Sequence, residues 1–211
     1  MNKLQFLKSN KIVGYIDRCD SCNLAMGSAF NPCRSEGLGH TIFFISEFPS
    51  QSENTKKLAF SSRPNIFLKK LVDANHLLES SYFTQLVRCK PFIVNRPTDS
   101  EIKVCINYLI KELQHYKPLI IVTLGLTVYN WIVGDNEEYI SHVVNKPIAI
   151  ERSIVPQNIE HIAGNKTIII PIHNPSYIIK SGKYEEYDIS FKVINDFYKV
   201  LINKYHNGKT Y

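Results

Sequence analysis

Residues 82–125 read YFTQLVRCKPFIVNRPTDSEIKVCINYLIKELQHYKPLIIVTLG. The stretch begins with an apolar run at 82–87 and ends with another at 119–124. Neither run alternates cleanly with polar residues, which is the pattern of a strand covered on both faces. Between them lies a basic loop punctuated by prolines, then Thr98-Asp-Ser-Glu101. A hydroxyl followed three residues later by a glutamate is a capping box, so a helix opens there. Its apolar stripe is Ile102, Cys105, Ile106, Leu109, Ile110 and Leu113, at helical spacing. Strand, helix and strand in that order predict two parallel strands joined by a crossover helix.

The same alternation continues outward. Residues 41–46 (TIFFIS) and 167–172 (TIIIPI) are two more runs of buried-strand character. Helical stretches follow or separate the runs at 65–79, 126–133 and 185–206. The expected fold class is therefore α/β. It is a three-layer α/β/α sandwich around a central, mostly parallel four-stranded sheet, with residues 1–211 as a single domain. Ligands of such sheets gather beyond the carboxyl ends of the strands, so functional residues are sought just after each run.

Composition narrows the class. The chain has 211 residues, 44% of them hydrophobic, and a formal charge of +6. Its pI of about 9.0 favours an anionic partner such as nucleic acid. No apolar run approaches the roughly eighteen residues of a membrane span. The opening MNKLQFLKSNK lacks the apolar core of a signal peptide. A cytoplasmic monomer with no membrane partner is the expectation.

The five cysteines then become informative. A reducing compartment disfavours structural disulfides, and an odd count leaves one thiol over. Cys19 and Cys22 form a Cys-x2-Cys pair, and Cys89 and Cys105 are separated by fifteen residues. Alone, Cys105 reads as a core thiol of the helical stripe. Together, four thiolates suit tetrahedral zinc or a [4Fe–4S] cluster, and spacing leaves both open. Cys33 reads as a free, partly buried thiol.

The block from Leu86 to Gly125, with the residues around it, resembles the central part of the family 4 uracil-DNA glycosylases, the iron–sulfur branch of their superfamily. The family pattern is Thr-Asn, two residues, Lys-Cys, a proline-rich loop with Asn-Arg, a helix bearing Cys, and an apolar strand ending in Leu-Gly; here its first part reads Thr84-Gln85, two residues, Arg88-Cys89, and the rest matches. The resemblance extends from Cys19 to Ser176 and more weakly into the last helix. It implies a structural [4Fe–4S] cluster on Cys19, Cys22, Cys89 and Cys105. It also implies DNA as partner and hydrolysis of the N-glycosidic bond of a flipped, uracil-like base.

The resemblance carries over residue by residue. ISEFPSQSE (residues 45–53) resembles a Gly-Glu-x-Pro-Gly loop, with Glu47 and Pro49 matching and Ser46 and Ser50 replacing the glycines. Glu47 is the leading catalytic candidate, and Glu53 falls on a further acidic position. Phe60 matches the ring that stacks on the flipped base, with Ser46 and Phe48 as further base-facing residues. Gln85 stands where the family has the asparagine that reads the base edge. IPIHNPSYII (residues 170–179) resembles the His-Pro-Ser segment, with Asn174 at the histidine position and His173 one residue early. Pro175 and Ser176 would press on the DNA backbone, and Arg63, Arg88, Lys90 and Arg96 are candidate phosphate contacts. The changes at Gln85 and Asn174 point away from ordinary uracil specificity and toward a modified base, for repair or for defence against phage DNA. Two other readings compete: a non-cleaving protein that binds altered or abasic DNA, and a zinc-stabilised domain of unrelated role.

Overall fold

The structure is a computed structural model that describes residues 18–91, 96–150 and 167–207. The N-terminal MNKLQFLKSNK and Asn95 of the proline-rich loop lie outside the described residues. Chain order runs α1 (Leu24–Gly27), β1 (Glu36–Gly37), β2 (Ile42–Ser46), α2 (Gln51–Lys56), α3 (Arg63–Ala74) and β3 (Ser81–Gln85). It continues with α4 (Asp99–Tyr116), β4 (Ile120–Leu124), α5 (Leu126–Val133), β5 (Ile148–Ile150), β6 (Thr167–Ile172), α6 (Pro175–Ser181) and α7 (Glu185–Asn207).

The strand order is β1-β3-β2-β4-β6-β5. The inner four strands, β3-β2-β4-β6, are mutually parallel and are the four apolar runs of the sequence. The sheet nevertheless has six strands, not four. β1 and β5 add antiparallel neighbours outside β3 and β6. They span two and three residues, too short to leave a periodic signal.

Both faces of the parallel core are covered, which explains the missing alternation. Phe43, Ile45, Ile121 and Ile169 pack against Leu109 and Leu113 of α4 and Val128 and Ile132 of α5. Ile42, Phe44, Val122 and Ile170 face the other way, against Leu68 of α3, Ile178 of α6, and Tyr187 and Phe191 of α7. Alternate residues of each strand therefore serve different cores. Among the described residues, no helix is long and apolar enough to cross a membrane.

The capping box at Thr98 forms as the sequence predicts. Thr98 N–H donates to Glu101 Oε2 at 2.8 Å, and Glu101 N–H donates to Thr98 Oγ1 at 3.4 Å. The buried stripe of α4 differs at two positions: Ile110 is only half-buried, and Glu112 lies fully inside. Its carboxylate accepts hydrogen bonds from Tyr82 Oη at 3.0 Å, Thr84 Oγ1 at 2.7 Å and Ser35 Oγ at 2.8 Å. It also pairs with the guanidinium of Arg88, and both side chains are about 1% exposed. A carboxylate in an apolar layer is tolerated only with this degree of pairing.

Removing one member should leave a buried charge unmatched. Arg88→Met or Glu112→Leu alone is expected to lower stability by about 3–5 kcal/mol, and the double substitution by less than either single one. Denaturant unfolding of the three variants checks the ordering.

Candidate active site

The carboxyl ends of β2, β3, β4 and β6 meet on one rim. β2 ends at Ser46 and β3 at Gln85, and these two residues are register partners. Parallel partners point to the same face, here the face on which Phe44 and Phe83 stack with centroids 5.3 Å apart. Phe60 closes against Phe83 at 5.1 Å and is itself fully buried. Its backbone is left-handed, with φ of 54°. A bulky side chain rarely adopts that conformation, and such strain clusters at functional sites.

Glu53 fixes this strained loop. One carboxylate oxygen accepts from Ser50 N–H at 2.8 Å, completing the capping box of α2. The other accepts from Asn65 Nδ2 at 2.8 Å and Ser62 N–H at 3.3 Å. Both oxygens are engaged and the side chain is 1% exposed. Glu53 therefore braces the segment that carries Phe60, and the catalytic expectation for it is corrected: its carboxylate has no free face for water or sugar.

Glu47 follows β2 directly. Its carbonyl accepts from Val87 N–H at 2.9 Å, which extends the β2–β3 pairing past the strand ends. Burial raises the carboxyl above the usual range, while the charge of Arg96 and a hydrogen bond from Thr127 work against that rise. Thr127 sits in the first turn of α5, and sequence reading missed it. Thr127, Asn130 and Trp131 of α5 and Asp99 of α4 line a cavity of about 480 Å³. Phe48 is half-buried against the α4–α5 layer, whereas Phe60 belongs to the core on the other face of the sheet.

The β6 end is shaped by Asn174. Its Oδ1 caps α6 by accepting from Ser176 N–H at 2.9 Å, with Pro175 in the first turn. Only its amide N–H groups are left to donate elsewhere. The adjoining Gly125 has φ of 95°, and its N–H donates to Ile172 O at 2.9 Å. The nearest foreign atom to a Cβ there would be Asn174 Cβ at 3.7 Å, so the backbone conformation, not crowding, requires the glycine. The His173 carbonyl accepts from Tyr187 Oη at 2.9 Å, and its ring stacks on Tyr177 at 4.8 Å. Burial lowers the imidazole below its ordinary value, against the charge of Glu186 and with that of Lys183.

The basic residues separate into two groups. Arg63, in the first turn of α3, and Arg96, beside Glu47, are exposed. Lys90 is half-buried and donates to Pro91 O at 3.2 Å. Arg88 is buried on Glu112 and on Ser35. The phosphate-contact expectation for Arg88 is therefore corrected, because a guanidinium enclosed beneath the sheet cannot reach a DNA backbone.

Cys19, Cys22, Cys89 and Cys105 line one small cavity, with Tyr108, Val87 and Pro32 among its other walls. Cys105 Sγ accepts from Arg88 N–H, and Cys19 Sγ from Tyr108 Oη, both at 3.3 Å. Burial pushes the Cys105 thiol up to about 12 and also raises Cys89. Among the described residues, no three His, Cys, Asp or Glu side chains are grouped as ligands of a metal ion as they stand. The four sulfurs nevertheless form an all-thiol donor set around one space, with N–H and O–H donors already aimed at two of them. Cys33 is apart from this set. Its Sγ donates to Glu53 O at 3.3 Å, and burial raises it to about 12.

With this geometry in place, comparison with known proteins is decisive. The model of the uracil DNA glycosylase superfamily matches residues 37–197. The type-4 uracil-DNA glycosylase of Thermotoga maritima is 26% identical over 172 residues, covering 81% of this chain and 82% of that protein. The type-4 enzyme of Archaeoglobus fulgidus is 29% identical over 160 residues, 74% of this chain and 75% of that one. That of Saccharolobus solfataricus is 30% identical over 121 residues, 54% of each chain. From the strands that carry Ser46 and Gln85 to the last helix, the chain belongs to the uracil DNA glycosylase superfamily, alongside its type-4 members.

Proposed function

We propose that this protein is a DNA glycosylase that takes a uracil-like base out of the helix and hydrolyses its N-glycosidic bond. The observation that carries the reading is Gln85. Its carboxamide is fully buried at the carboxyl end of β3, and among the described residues neither its nitrogen nor its oxygen has a hydrogen-bond partner. A buried amide left unmatched costs on the order of 1–3 kcal/mol, which a flipped base edge would offset.

The chemistry follows from the rim. The bond from the sugar carbon to the base nitrogen breaks, and the base leaves with the electron pair. Water adds to the sugar carbon and gives its proton to a carboxylate. Glu47 suits that role: it stands at the end of β2 and holds its proton more tightly than an exposed glutamate. The Asn174 amide can donate to charge growing on a base oxygen, as preorganised donors do. Burial works against a cationic His173 beside that charge. Arg63 and Arg96 are left to meet phosphates. The base is one that tolerates a glutamine in place of asparagine and an asparagine in place of histidine, which favours a modified pyrimidine over ordinary uracil.

Cys19, Cys22, Cys89 and Cys105 would hold a [4Fe–4S] cluster, because the donor set is four thiols around one space. When bound, the cluster would serve as a covalent brace between the N-terminal segment, the loop after β3, and α4.

Two tests follow. Glu47→Gln should slow excision from a panel of uracil, mismatched and modified-pyrimidine duplexes by about two or more decades while DNA binding persists. The acid limb of the single-turnover rate should lie above the pH of an ordinary glutamate. Arg96→Ala should move that limb to higher pH, because it removes a charge that favours the carboxylate. A Glu47→Gln enzyme of full activity would overturn the assignment. Separately, anaerobically purified protein should contain about four irons per chain and absorb in the visible, and Cys89→Ala should lose both. Stoichiometric zinc without iron would instead assign the four thiols to zinc.

A further inference from the structure

The geometry points to Ser46 as a specificity-determining residue that reads, together with Gln85, a base edge of three consecutive polar atoms. The inference rests on the glycosylase reading and extends it to the chemical class of the base.

Ser46 and Gln85 close the β2 and β3 strands as register partners. Two positions earlier on the same face, Phe44 and Phe83 stack, and Phe60 lies against that pair. Both polar side chains are buried, Ser46 at 4% exposure and Gln85 at 0%. Neighbouring strands run about 4.8 Å apart, so the two side chains stand next to each other. Among the described residues, however, they do not bond to each other or to anything else: Ser46 Oγ, Gln85 Oε1 and Gln85 Nε2 are all unmatched. Three adjacent buried polar atoms without partners are rare in a native interior, and each such group needs an explanation.

A planar carboxamide meets two neighbouring atoms of a heterocycle, one donor and one acceptor. A hydroxyl beside it supplies a third contact. The 2,4-dioxopyrimidine edge of uracil and its 5-substituted relatives offers carbonyl, N–H and carbonyl in sequence, and satisfies all three. A purine lactam such as hypoxanthine offers carbonyl and N–H, then a C–H, and leaves the Ser46 hydroxyl unmatched. Sites that hydrogen-bond a substrate reject analogues lacking the group more strongly than sites that sort by size. The pair therefore selects the dioxopyrimidine class, and Ser46 carries the part of that choice which Gln85 alone cannot make.

The experiment measures binding of duplexes that carry one 2′-fluorinated deoxyuridine or deoxyinosine, which resist cleavage, by wild type and Ser46→Ala protein. Loss of the hydroxyl should weaken the uridine duplex by about 5- to 30-fold and leave the inosine duplex within about 2-fold. The inosine arm also reports whether the variant is folded. An unchanged uridine affinity, or an equal loss on both duplexes, overturns the role of Ser46 while leaving the glycosylase reading standing. Wild-type protein that binds neither modified duplex better than unmodified DNA overturns this inference, and the glycosylase reading falls with it only where the uracil, mismatched and modified-pyrimidine duplexes are also left uncleaved.

Discussion

The pairing of Arg88 with Glu112 organises the molecule around it. A carboxylate inside an α/β layer demands donors from every direction, and Glu112 draws them from three separate pieces of chain: Ser35 before the first strand, Tyr82 and Thr84 on β3, and Arg88 just beyond it. That convergence sets the height of α4 against β3. It thereby sets where Gln85 emerges at the strand end and where Cys89 and Cys105 face each other across the loop. The same Arg88 uses its backbone N–H on Cys105 and its carbonyl on the N–H of Cys33. One residue links the ion pair, the thiol cavity and the segment leading to the first strand.

Much of this architecture was legible in the sequence because the parallel core is written in contiguous apolar runs and its crossover helix in a capping box. The helical stretches read at 126–133 and 185–206 form α5 and α7. What escaped was short or tertiary in origin. β1 and β5 acquire strand form only by pairing with longer neighbours. α6 is a seven-residue helix whose signal, an N-cap asparagine before proline, lay inside a segment read for its chemistry. The burial of Arg88 was hidden because a basic residue in a basic loop looks solvated, although Glu112 sits seven residues after Cys105 on the same helical face and could have announced a partner.

The site shows the same division. Ser46, Glu47, Gln85 and Asn174 stand at or just past the ends of β2, β3 and β6, where the apolar runs of the sequence stop. Sequence could not distinguish the two acids of the loop after β2. Glu47 keeps a carboxyl raised by burial, whereas Glu53 is consumed by Ser50, Ser62 and Asn65 in holding the Phe60 segment. Both are glutamates six residues apart, and only the direction of the chain after Pro49 separates a half-buried carboxyl at the rim from a fully bonded brace. The left-handed backbone at Phe60 is likewise invisible in a string of letters, because nothing but tertiary contacts could hold a phenylalanine there.

The two short antiparallel strands have a consequence beyond closing the sheet. A parallel core of four apolar strands would otherwise offer its outermost backbone groups to any passing chain, the usual start of sheet-to-sheet association. β1 covers one side with two residues and β5 the other with three. Neither is long enough to template a further strand of useful length. In a protein whose strands are so uniformly apolar, these brief margins limit self-association through the sheet, and lengthening either would invite aggregation without altering a single residue of the rim.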